Sequence, residues 1–78
     1  MDLDRLDRLA TRVAQGERYG TGVLSTGEAL YVALAANNTD MLRERGYTIA
    51  ESLARLGEED VAELIERWRY RGDPGRIA

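Results

Sequence analysis

The feature that most constrains this chain is its middle. Ser25 stands three residues before Glu28, the spacing of a capping box, and residues 29–36 then run Ala-Leu-Tyr-Val-Ala-Leu-Ala-Ala. Such a helix has almost no polar face, so in a chain of 78 residues the other elements must cover it on most sides. The spacing predicts a central buried helix over residues 26–37, with Asn37 or Asn38 taking the left-handed conformation that ends it.

The remaining segments read as helices able to wrap that center. Leu3, Leu6, Leu9, Ala10 and Val13 recur at three and four, behind Asp2 and Asp4 and before Gly16, which predicts an amphipathic helix over 2–15. Its polar face is expected to be solvated by pairing of Asp4 with Arg8. Residues 16–24 carry Gly16, Gly20 and Gly22 and read as a loop that places Val23 and Leu24 in the core. Asn38 or Thr39 can cap a short helical turn over 39–45 that Gly46 closes. Thr48 and Glu51 repeat the capping-box spacing, and Ile49, Leu53 and Leu56 make the expected buried stripe of a helix over 48–56 that stops at Gly57. Glu58, Glu59 and Asp60 load the start of a last helix over 59–71, whose buried stripe is Val61, Leu64, Ile65 and Trp68. Gly72, Asp73, Pro74 and Gly75 break it and leave 72–78 as a flexible tail. The expected architecture is all-α: one small domain over 1–78, a bundle of four helices plus a short helical turn.

Composition narrows the chemistry. All eleven basic residues are arginine, and lysine, histidine and cysteine are absent. A disulfide and a thiolate or imidazole metal site are thereby excluded, and no cofactor is expected. Arginine alone can mark a surface for phosphates or carboxylates, but the abundance of alanine and glycine beside it is accounted for by a GC-rich coding genome. The net charge is −3, with acids and arginines interleaved, so no broad basic field exists to gather nucleic acid. Residues 1–8 alternate charges with leucines and resemble neither a secretion signal nor a membrane span. The expected location is the cytoplasm of a bacterial host, without membrane association.

Five patterns are candidates for function. Gly20, Gly22 and Gly27 around Ser25 and Thr26 look like a phosphate-cradling loop, but a Walker lysine and a preceding strand are missing, and capping explains them. Ser25 and Thr26 have no histidine or lysine to act as base, so catalysis is not expected. Arg67, Trp68, Arg69, Tyr70 and Arg71 interleave arginine with aromatics. This is a pattern for stacking and phosphate contact, or else a helix end whose cations suit the dipole. The order of short helix, glycine turn and second helix over 48–69 invites a helix-turn-helix reading, opposed by the acids that would begin its reading helix. Glu58, Glu59, Asp60, Glu63 and Glu66, with Asp2, Asp4 and Asp7 at the first helix, form a carboxylate array if the two helix ends lie together, one that can occupy the arginine-lined groove of a nucleic-acid-binding partner.

The run of Ser25, Thr26, Gly27 and Glu28, then Leu30 through Asn37, followed by Tyr47, Thr48, Ile49, Ala50, Glu51, Leu53, Leu56 and Gly57, resembles short bacterial accessory proteins frequent in phages and mobile elements. That resemblance covers about half the chain and rests on caps and core. It implies a genomic setting in which anti-CRISPR inhibitors are a leading class. The expected function is therefore a small acidic, non-catalytic protein that binds and inhibits a host nucleoprotein complex. Its expected contact residues are Glu58, Glu59, Asp60, Glu63, Arg67, Arg69, Tyr70 and Arg71. The alternatives are a DNA-binding regulator using Arg67, Arg69 and Arg71, and a homodimer formed because Tyr31, Trp68 and Tyr70 exceed what a monomer can cover.

Overall fold

A computed structural model of the chain describes residues 1–69. The expectations for Tyr70, Arg71 and the 72–78 tail lie outside the described residues. The rest forms an all-α bundle: α1 Leu3–Ala14, a 3-10 turn Thr21–Val23, α2 Thr26–Ala35, the short α3 Thr39–Glu44, and α4 Ile49–Trp68. Among the described residues there is no strand.

Local chemistry sets the element boundaries. Asp2 caps α1 by accepting from the Arg5 amide, and Asn38 caps α3 by accepting from the Met41 amide. Complete capping boxes open α2 at Ser25 and Glu28 and α4 at Thr48 and Glu51. Asn37, at φ 55°, makes the left-handed turn out of α2. At Gly57 the backbone leaves the helix with φ 86° and ψ 168°, a region that only glycine enters readily. The interruption expected after Leu56 is therefore present, and α4 resumes directly beyond it.

α2 packs against α1, α3 and α4, which makes it the center of the bundle. Ala29, Leu30, Tyr31, Val32 and Ala33 of α2 are all buried, meeting Leu6, Ala10 and Val13 of α1, Met41 and Leu42 of α3, and Leu24. Burying a leucine or valine in this way stabilizes by about 1.5–3 kcal/mol.

Several expected burials differ. Val23 is 88% exposed, and Leu24 alone enters the core; the 3-10 turn points adjacent side chains apart. Ile49 and Leu53 lie outside the core, at 54% and 37% exposure. The first part of α4 instead docks through fully buried Ser52 and half-buried Leu56, because a small side chain at the contact lets the two backbones approach. Ser52 satisfies its hydroxyl by donating to the Thr48 carbonyl at 2.7 Å. Beyond Gly57, Leu64 is buried, Val61 and Trp68 are half-buried, and Ile65 is 58% exposed. Tyr31, offered above as surplus aromatic surface, is completely buried, which removes it from the case for a homodimer.

Candidate binding surface

Two sets of acids lie on α1 and α4, and the structure treats them differently. Asp7 lies on the core side of α1, one turn after Leu3 and one turn before Ala10 and Thr11, and is only 6% exposed. Its Oδ1 accepts from Tyr31 Oη of α2 at 2.7 Å and from Trp68 Nε1 of α4 at 2.6 Å. Its Oδ2 accepts from Arg67 Nη1 at 2.9 Å. Arg67 Nη1 also reaches Asp4 at 2.8 Å, and its Nε bonds Glu63 one turn earlier at 3.1 Å.

Electrostatics follow from this arrangement. Burial pushes the Asp7 pKa up, but hydrogen bonds from Trp68, Tyr31 and Arg67, with the Arg67 charge, outweigh it and hold the carboxyl below its ordinary value. Burial, and then the hydrogen bond and charge of Asp7, raise the Tyr31 phenol. The carboxylates of Asp4, Asp7 and Glu63 raise the Arg67 guanidinium. The cluster is thus a charged carboxylate on α1 satisfied by neutral and cationic donors from two other helices, α2 and α4. No buried side-chain nitrogen or oxygen lacks a partner among the described residues. Chemically, a carboxylate so engaged serves as a clamp between helices.

Arg67, expected at a contact surface, is therefore turned toward the body of the protein. The pairing expected between Asp4 and Arg8 is replaced by Asp4 with Arg67, because the guanidinium presents several donors to carboxylates on two helices at once. Arg69 is exposed and pairs with Glu66 at 3.2 Å, while Glu63 is exposed beside Arg67. The expected carboxylate array also changes. Asp7 is committed to the interior, Asp2 caps α1 and Asp4 pairs with Arg67, so the first helix adds no unengaged acid to it.

What remains is the start of α4 beyond Gly57. Glu58 and Glu59 are exposed and Asp60 is half-buried. None of the three enters an ion pair among the described residues. They share α4 with exposed Ile65 and, before the break, with exposed Ile49 and Leu53. Of the twenty residues of α4 only Ser52 and Leu64 are buried, so this helix presents most of its surface outward.

The Asp7 clamp was missed in the sequence. Its signal was an aspartate lying between the leucines and Ala10 of the apolar stripe, together with a tyrosine inside the apolar run of α2. Among the described residues no group of three or more potential ligands is placed to hold a metal ion, and no helix is long and apolar enough to cross a membrane. Compared with family models, curated proteins and solved structures, the chain matches none.

Proposed function

We propose that this chain is a non-catalytic, cytoplasmic binding protein that inhibits a nucleic-acid-binding complex of its host, in the manner of an anti-CRISPR inhibitor, through the outward face of α4. One observation carries the reading: Glu58, Glu59 and Asp60 form a run of carboxylates without an ion pair among the described residues, on the helix that commits least of itself to the core. A folded protein whose other acids are largely capped or paired keeps these three available for the cations of a partner, which steer encounter and set specificity. Exposed Ile65 on the same helix supplies apolar surface beside them.

The test is titration of a purified CRISPR surveillance complex with this protein while target-DNA binding is followed. Loss of DNA binding, restored when Glu58→Gln, Glu59→Gln and Asp60→Asn are combined, is the expected result. DNA binding unchanged at excess protein overturns the reading.

The DNA-binding alternative loses one of its three arginines, because Arg67 is satisfied by Asp4, Asp7 and Glu63. Self-association keeps one favorable observation, the exposure of Ile49 at 54% and Ile65 at 58%. Sedimentation with a mass that rises with concentration would support it.

A further inference from the structure

On another part of the molecule, the loop between α1 and α2 faces the end of α3 across a cavity of about 360 Å³. This is within the size range of small-ligand pockets. Its floor is Leu24 and Met41, both buried, and its wall includes Thr21 and Gly22 of the 3-10 turn. Arg45, half-buried at the end of α3, reaches back through Nη2 to the carbonyl oxygens of Leu24 at 3.1 Å and Thr21 at 3.5 Å. That anchors the guanidinium on the backbone of the turn. Its Nε and Nη1 donors have no acceptor among the described residues, and since no buried side-chain nitrogen is unsatisfied, they open to solvent.

The second charged wall is an ion pair. Arg18 donates to both Glu44 oxygens, at 2.9 and 2.6 Å, with side-chain exposures of 41% and 54%. Exposed pairs of this kind contribute little to stability, so this one can open without threatening the fold. Arg18, Arg45 and Glu44 together carry one net positive charge. The lining is mostly polar, with a small apolar floor at Leu24 and Met41; together with the anchored donors and a single excess charge it defines a complementary ligand: a small, partly apolar body ending in one carboxylate.

We propose that this cavity binds a small monocarboxylate, its apolar body on Leu24 and Met41 and its carboxylate on the unused donors of Arg45, with Glu44 competing for the neighboring cation Arg18. The site shares no residue with the acidic run of α4, so it stands or falls independently of the proposed inhibition.

The probe pair is benzoate and its uncharged analogue benzamide, titrated into the isotopically labeled full chain while amide resonances are followed. Saturable shifts at Thr21, Leu24, Met41 and Arg45 with benzoate, and at least about tenfold weaker ones with benzamide, are expected, since a charge-assisted hydrogen bond is lost. Glu44→Gln releases Arg18 and is expected to tighten benzoate severalfold. Arg45→Met removes the donors and is expected to weaken it about tenfold or more. Because Arg45 also holds the turn, Gly22→Leu gives a separate check: it adds bulk at the pocket wall, where a Cβ meets nothing within 4 Å, and should block binding in a folded chain. Equal shifts with both probes, no saturation into the tens of millimolar range, or benzoate binding that Glu44→Gln weakens would overturn the proposal.

Discussion

α2 and α4 begin in the same way, each with a hydroxyl and a glutamate three residues later closing a complete capping box. Five of the ten residues of α2 are buried, against two of the twenty of α4. A helix start therefore says where a helix forms and nothing about how much of it the fold consumes. α2 is enclosed because its side chains are apolar on every side. α4 leans on the bundle through Ser52, Leu56, Leu64 and Trp68, and its other faces are left for solvent or partners. α1 and α4 are joined largely through long side chains, with Arg67 and Trp68 reaching over to Asp7 and Asp4.

That junction is where the contrast is most easily broken. Asp7→Ala strips a buried acceptor from three donors and is expected to cost about 3–5 kcal/mol, a large share of the stability of a small domain. Urea denaturation measures it, and a loss under about 1 kcal/mol would show that α4 docks without the clamp. The same carboxylate sets an acid limit. Its folded-state pKa is depressed, so its contribution is present above the unfolded value near 3.9 and is lost as pH falls through the lower folded value. Glu28, Glu44 and Glu51 are shifted downward too. Thermal unfolding between about pH 6 and pH 2 should therefore show a midpoint that falls mainly below pH 4, and Asp7→Asn should flatten part of that fall.

Leu30→Ala in α2 is expected to cost about 2–5 kcal/mol, whereas Ile65→Ala in α4 should stay within about 0.5 kcal/mol. Equal losses at the two sites would erase the distinction between the helices. Gly57→Ala tests the break in α4. A Cβ there meets nothing within 4 Å, so the expected loss of about 1–3 kcal/mol is conformational, and calorimetry would detect it. A small effect on stability is also expected of the combined Glu58→Gln, Glu59→Gln and Asp60→Asn variant. It should lose about 1 kcal/mol or less, from weakened interaction with the helix dipole, while partner binding is abolished. A large loss of stability would assign these acids to the fold.

Much of the architecture was legible in the sequence because its causes are local. Both capping boxes, the Asn38 cap and the left-handed turns at Asn37, Gly46 and Gly57 depend on residues within a few positions of each other. The encasement of α2 was legible for a different reason: a helix without a polar face has only one stable surrounding. Side-chain commitments were less legible. Periodicity put Ile49, Leu53 and Ile65 on buried stripes, but a short helix needs only part of an apolar arc, and Ser52 and Leu64 claimed the contact. Arg67 read as surface because its partners, Asp4 and Asp7, lie at the other end of the chain.

By itself, then, the sequence determined where helices start and stop, that the fold is all-α and that α2 lies at its center. These follow from backbone capping and from the free energy of burying apolar surface, which act without knowledge of the rest of the fold. Only the tertiary structure decided which charges are spent internally. Asp7 and Glu58 are both acids near a helix start, but the first accepts hydrogen bonds from two other helices and the second meets no ion-pair partner among the described residues. That difference arises because an ion pair or a buried hydrogen bond requires two groups within a few ångströms, and for residues some sixty positions apart the packing of the helices alone sets that distance.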